Sequence, residues 1–270
     1  MPQSLTEIKA LLEARGMRPR KRFGQNFLID HNKMRMILDA AELGAGDAVL
    51  EVGPGTGALT EWLLEAGADV TAAEIDRDLA VILRERFGKR ESFALVEGDV
   101  MAGKHAIAAA VLEAIGDRPF KLIANLPYQI ASPLLATLAL DHANWTRAVV
   151  MVQREVGDRL LAESGKDFGP LSVAIGLMCE GKVVTHLPPG CFWPQPQVDS
   201  SVVLLERRGD PVCDDPKRVM EMAQTLFQKR RKTVRAIVGT EVALAAGVDE
   251  TLRPERLTVK QIVGLADAAG

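Results

Sequence analysis

Glu51-Val52-Gly53-Pro54-Gly55-Thr56-Gly57 joins a short apolar run, Ala48–Val52, to a stretch with helical spacing, Ala58–Glu65. Strand, glycine turn and helix in that order predict one unit of an α/β fold with a ligand-approachable turn. Glycines at 53 and 55 let the backbone bend sharply and come close to a ligand, with no Cβ in the way. The same alternation repeats downstream. Strands are predicted at 70–74, 93–97, 120–124 and 148–152, and helices at 78–87, 104–115 and 133–140. Such alternation implies a parallel, doubly wound sheet.

The pattern changes further along. A helix at 171–179 precedes two strands, 182–187 and 198–207, joined by a proline-rich connection at 188–196. No helix separates these strands, so they are expected to pair antiparallel. After Asp210-Pro211 the chain reads as helical, at 216–228, 232–238 and 259–269. The expected division is a catalytic domain of residues 1–210 and a small all-α domain of residues 211–270. Residues 5–12 form an amphipathic helix; Glu7 and Glu13 set it apart from a signal peptide.

An apolar fraction of 47% and a charged fraction of 26% are ordinary for a globular protein. With no apolar run of ~18 residues, no membrane span is expected. The cysteines, Cys179, Cys191 and Cys213, are odd in number and lack a CxxC spacing, which fits reduced thiols in a cytoplasmic protein. His31, His105, His142 and His186 are isolated from one another, so no metal is expected. A monomer is expected. The net charge of −3 conceals two basic clusters. One is Arg18, Arg20, Lys21 and Arg22; the other is Lys229, Arg230, Arg231, Lys232 and Arg235. Such patches suit a face that touches RNA, and equally suit solvated helix ends.

Glu74 closes the strand after the glycine turn, where a carboxylate accepts hydrogen bonds from both hydroxyls of a ribose. Asp99 ends the third strand and faces the same crevice, within reach of an adenine amino group. A dinucleotide is the rival ligand, but it favours GxGxxG with a pyrophosphate on the helix N-terminus. Here the third glycine falls one residue early. S-adenosylmethionine has no phosphate and tolerates that spacing. A merely tight turn accounts for any one of the glycines, but not for Glu74 and Asp99 as well.

Asn125-Leu126-Pro127-Tyr128 follows the strand at 120–124, and Tyr128 is the only tyrosine. An exocyclic adenine amine is a poor nucleophile because its lone pair is delocalised into the ring. Acceptors on its hydrogens push the nitrogen toward tetrahedral geometry. The Asn125 side-chain oxygen and the Leu126 carbonyl are the candidate acceptors. Pro127 fixes the turn and restricts Leu126 to extended backbone. Tyr128 is placed to stack on the base. The competing reading is an ordinary Asn-x-Pro turn. Phe192-Trp193-Pro194-Gln195-Pro196 offers a second aromatic face, Phe192 ahead of Trp193, or else a rigid loop with a packed phenylalanine.

Further segments complete a pattern: Phe23-Gly-Gln-Asn-Phe-Leu28, Glu74-Ile-Asp76, Gly98-Asp99, Pro194-x-Pro196-x-Val198-Asp199-Ser200 and Phe227-Gln-Lys-Arg-Arg-Lys-Thr233. From about Lys21 to the C-terminus the chain resembles the RNA adenine N6-dimethyltransferases. The resemblance implies a class I, Rossmann-like methyltransferase fold with a seven-stranded, mostly parallel sheet and a helical C-terminal domain. It implies S-adenosylmethionine as methyl donor, held at Asn26, Leu28, Gly53, Glu74, Asp99 and Asn125, with Gly55 in the same turn. From the residues alone, Gly24 to Leu28 reads only as a loop entering a helix. The implied reaction places two methyl groups on each of two adjacent adenosines near the 3′ end of small-subunit ribosomal RNA. The implied partner is the immature 30S subunit, with Arg22, Lys229, Arg230, Arg231, Lys232 and Arg235 on the RNA. Related enzymes modify one large-subunit adenine; the match through Gln228–Arg235 favours the small subunit. Two alternatives stay open: an assembly factor for which methylation is secondary, and a DNA adenine methyltransferase.

Overall fold

The computed structural model describes residues 3–270. The chain packs as two compact units. The first holds residues up to 137 together with 143–157 and 181–206, and the second holds 138–142, 158–180 and 207–270. Residues 138–142, 158–180 and 207–210, which the sequence assigns to the first domain, pack with the second unit.

The first unit is built on a seven-stranded sheet. Its strands are β2 (Ala48–Val52), β3 (Asp69–Glu74), β4 (Phe93–Glu97), β5 (Phe120–Asn125), β6 (Trp145–Gln153), β7 (Cys179–Leu187) and β9 (Ser200–Arg207), in the order β4-β3-β2-β5-β6-β9-β7. β2 pairs in parallel with both β3 and β5, and the parallel set extends to β4 and β6. β9 runs antiparallel to β6, with Gln153 opposite Ser200. All five β2 residues are buried, as is expected of a central strand covered on both faces. The chain steps outward from β2 through β3 to β4 and then crosses back to β5 on the other side of β2, so the order reverses between β2 and β5. Ligands of open α/β sheets bind at the carboxyl ends of strands flanking such a reversal. The glycine turn follows β2 there, and Asn125 ends β5.

α3 (Ala58–Glu65) follows the turn, and α4 (Arg77–Phe87) starts at Asp76, whose side chain accepts from the Asp78 amide. α2 (His31–Ala41), the helix that the 24–28 segment is expected to enter, starts at Asp30, whose side chain accepts from the Asn32 and Lys33 amides. It lays Met34 and Ile37 into the core beside Val49, Leu63, Ile123 and Met151. The segment at 24–28 is more than a loop. β1 (Phe27–Leu28) pairs antiparallel with β8 (Phe192–Trp193), Phe27 opposite Trp193 and Leu28 opposite Phe192. α1 (Leu5–Glu13) has a Ser4–Glu7 capping box and buries Ile8 and Leu12 against Phe27, Leu79 and Ile82.

The helix expected at 104–115 is shorter. α5 (Ala109–Ile115) begins five residues later, because Met101 bridges Ile107 and the Ala108 amide donates to the Val100 carbonyl. That long-range pairing overrides the helix propensity of the alanine-rich stretch. α6 (Ala131–Asp141) and α7 (Arg154–Leu160) complete the elements up to residue 160.

The second unit is helical: α8 (Pro170–Met178), α9 (Pro216–Gln228), α10 (Val234–Val238), α11 (Thr240–Ala245) and α12 (Val259–Ala268). Phe168 meets Phe227 edge-on, with centroids 5.7 Å apart. Val219, Ala223, Leu226, Ile262 and Leu265 are buried. α9 starts on Asp215 with proline in its first turn, and α12 on a Thr258–Gln261 capping box. No helix among the described residues is long and apolar enough to cross a membrane.

Candidate active site

The turn after β2 holds its backbone in a form that only glycine adopts easily. Gly53 has φ +67° and Gly55 has φ +63°. A Cβ at Gly53 would touch the Pro127 ring at 3.4 Å, and one at Gly55 would meet the Phe27 ring at 2.9 Å. The turn is thus clamped between the segment after β5 and the strand at 27–28. The Gly55 amide donates to Glu74 at 3.1 Å, and the Asp76 amide to the other oxygen of that carboxylate at 2.8 Å. Glu74 is 4% exposed. Burial pushes its carboxyl up to about 7, against the pull of those two amides. A second carboxyl lies behind it: Glu51 is fully buried, takes a hydrogen bond from the Thr60 hydroxyl at 2.7 Å, and is pushed up to about 8 by burial.

A narrow cavity runs over these groups, lined by Asn26, Leu28, Gly53, Gly55, Glu74 and Asn125 among others. It adjoins a second pocket lined by Gly53, Asp99, Val100, Pro127 and Tyr128, with Arg22 at its edge. The donor residues expected from the sequence therefore line two adjoining spaces at the sheet's switch point. Asp99 is exposed and accepts from the Met101 amide at 2.9 Å.

At Asn125 the side-chain nitrogen donates to the Asn26 carbonyl at 2.8 Å. A carbonyl can only accept, so this bond fixes the amide's orientation and leaves Oδ1 as an acceptor. The Leu126 amide donates to the Met151 carbonyl at 3.1 Å and its side chain is buried, which anchors the tetrapeptide on the sheet. Tyr128 is half-buried; burial raises its phenol, and a hydrogen bond with the Ser200 side chain opposes that shift. Tyr128 lines both the Asp99 pocket and a larger cleft.

Phe192 sits elsewhere. It is 2% exposed and belongs to the apolar core with Leu28, Met151 and Val202. The neighbouring Trp193 lines the large cleft instead. The alternation of a strand explains this: β8 pairs with β1, so consecutive residues point to opposite faces. In the second unit the basic run divides by partner. Arg230 donates to the Gly165 carbonyl at 3.2 Å and the Lys166 carbonyl at 2.6 Å, and lies 3.7 Å from Glu255. Arg235 pairs with Glu250. Lys229, Arg231 and Lys232 are exposed.

Sequence reasoning missed three supports. Asp76 is buried and accepts from Gln25 at 2.8 Å and Arg20 at 2.7 Å, which ties the Phe23–Leu28 motif and part of the first basic cluster to the donor strand. Arg86 donates to the Thr56 carbonyl. Ser200 holds Tyr128, which accounts for the serine ending its motif. The quoted motifs contained two of these residues, but nothing in the sequence paired them.

Comparison with known proteins decides what this arrangement belongs to. Residues 16–268 match the ribosomal RNA adenine dimethylase family. The chain belongs to that family. Among curated members, the small-subunit ribosomal RNA methyltransferase A of Moorella thermoacetica is 38% identical over 272 residues, covering 95% of this chain and 94% of the relative. The protein of the same name from Synechococcus sp. is 41% identical, covering 93% of this chain and 94% of its own. Among solved structures, the 23S ribosomal RNA methyltransferase ErmE is similar at TM-score 0.69 and 26% identity, covering 90% of this chain and 99% of that one. A dimethyladenosine transferase from Plasmodium falciparum has the same fold, at TM-score 0.72 and 23% identity over 88% of this chain and 95% of its own.

This ribosomal RNA adenine dimethylase is an enzyme that uses S-adenosylmethionine. Its residues fit that donor. Glycine at 53 and 55 lets the turn pack against Pro127 and Phe27, Glu74 lines the cavity beside it with its carboxylate, and the exposed Asp99 lines the adjoining pocket.

Proposed function

We propose that this enzyme dimethylates two adjacent adenosines near the 3′ end of small-subunit ribosomal RNA, on immature small subunits. One observation carries the chemistry: Asn125 is locked by the Asn26 carbonyl with its oxygen left to accept, beside the half-buried ring of Tyr128. The bound donor supplies an electrophilic methyl group. Asn125 Oδ1 and the Leu126 carbonyl take the two N6 hydrogens and aim the nitrogen lone pair. Tyr128, steadied by Ser200, stacks on the flipped ring, because an adenine inside a duplex cannot reach the site. No strong base is needed, since the amine proton becomes acidic once the methyl has moved. Glu74 orients the donor through its ribose, and Asp99 through its adenine. Gly53, Gly55, Asn26 and Leu28 shape the space for it. Phe192 supports the acceptor wall from the core and leaves the stacking face to Tyr128.

The small-subunit assignment is supported by relatives of that name, aligned over almost the whole chain. Arg22 at the Asp99 pocket and Lys229, Arg231 and Lys232 on the second unit are the phosphate contacts. Arg230 and Arg235 shape the turn that presents them. The test offers small- and large-subunit precursor particles together with labelled donor. Label in the small-subunit RNA is expected, and label confined to large-subunit RNA would overturn the assignment.

A further inference from the structure

The larger cleft that Tyr128 also lines has a volume of about 950 Å³, near the upper end of the roughly 300–1,000 Å³ of ligand clefts. It shares Asn26 and Tyr128 with the donor and base sites and continues past them along Trp193 and the 194–198 segment. Its walls have one consistent chemistry. Trp193 supplies an aromatic plane, backed by Phe27 in stacked geometry with centroids 6.3 Å apart. Gln153, Gln195 and Gln197 supply amides that both donate and accept. Lys9 and Arg18 bring two cations, and Glu13 is a carboxylate on the same wall. The Lys9 ammonium lies over the Trp193 ring, 5.4 Å from its centroid. Lys9 is an exposed side chain on α1, so it leaves that ring at little cost.

A planar ring with hydrogen-bonding edges, joined to an anion, fits such a cleft. A target adenine seated at Tyr128 brings that chemistry with it, because its neighbouring nucleotide is covalently attached. Resting on the function proposed above, we propose that the nucleotide adjoining the target adenosine occupies this cleft. Its base stacks on Trp193 in place of the Lys9 ammonium, and Lys9 turns to its phosphate. Trp193 is then a positioning residue: it holds the strand so that the target base reaches Tyr128. An RNA with two adjacent target adenosines suits the arrangement, since each adenine serves as the other's neighbour in turn.

The test is a double-mutant cycle between protein and RNA. Methylation of one adenosine is measured on intact RNA and on RNAs with an abasic site immediately 5′ or immediately 3′ of it. On intact RNA, Trp193→Ala raises KM by about five- to hundredfold, the range for loss of one base–aromatic stack. Trp193→Phe restores most of that loss, and donor affinity is unchanged in both variants. On the RNA lacking the stacked neighbour, the parental enzyme loses a similar factor and Trp193→Ala loses nothing more. A merely structural tryptophan would lose its factor equally on all three RNAs, and that outcome overturns the proposal. Parental enzyme inactive on intact RNA would instead remove the function on which the proposal rests. RNA-dependent quenching of tryptophan fluorescence is also expected to vanish in Trp193→Phe, which keeps Trp62 and Trp145; quenching that persists contradicts the stack.

Discussion

At the scale of single residues, Glu74 sets a pH dependence on the donor. Its carboxyl is held up at about 7 by burial, while hydroxyl donors of a ribose favour the ionised form. Below pH 7 a proton must leave before the donor binds well, so affinity is expected to fall as pH drops from 8 to 6. Glu74→Gln removes a charge-assisted pair, costing roughly 1.5–3 kcal/mol, or about tenfold or more. It should also flatten the slope between pH 6 and 8. Calorimetry at three pH values checks both; a slope that survives in the variant assigns it to another group. Arg230 shows the converse at this scale. It reads as a phosphate ligand within a basic run, yet its guanidinium binds two carbonyls of its own unit. Nothing in the run itself separates it from Arg231, because the partners lie 65 and 64 residues away in sequence.

At the scale of elements, the end of β2 carries an unusual load. Glu51 is buried beneath the donor turn with its carboxyl up at about 8, and Glu74 follows at about 7. Both folded values lie above the ordinary carboxylate value. Their contribution to stability is therefore full below about pH 4.5 and is lost as pH rises through 7 and 8. The donor-free protein should melt at progressively lower temperature from about pH 5 to 8 and level off above that. Glu51→Gln keeps the Thr60 hydrogen bond and should remove the upper part of that decline. Calorimetric scans test this, and a decline identical in the variant would contradict it. The strands and helices around this site were legible because apolar period and turn chemistry agree there: β2, β4, α3 and α9 have the bounds that the sequence predicts. β1 and β8 were not, because each is two residues long and defined only by its distant partner. The same pairing hid which of Phe192 and Trp193 faces the cleft. A strand's facing is set by its register, and a two-residue run gives no alternation to read.

At the scale of the whole molecule, RNA binding is expected to draw on charge in the second unit. Replacing Lys229, Arg231 and Lys232 by alanine should weaken RNA binding and lower the slope of log affinity against log salt by roughly 2–3, from counterion release. Donor affinity should stay at the parental value. Arg230→Ala should instead lower thermal stability, since it frees two carbonyls and Glu255. A triple variant with the parental salt slope would make that turn a solvated face. The central claim is the identity and place of the product, and one measurement addresses it most directly. Immature small subunits are incubated with labelled S-adenosylmethionine, and the RNA is digested and analysed by mass spectrometry. The account predicts N6,N6-dimethyladenosine at two neighbouring positions near the 3′ end, formed about five- to hundredfold more slowly by Tyr128→Ala, the loss expected from one stacked base. Methyl groups on any other base atom, or dimethyladenosine made by Tyr128→Ala at the parental rate, would contradict it.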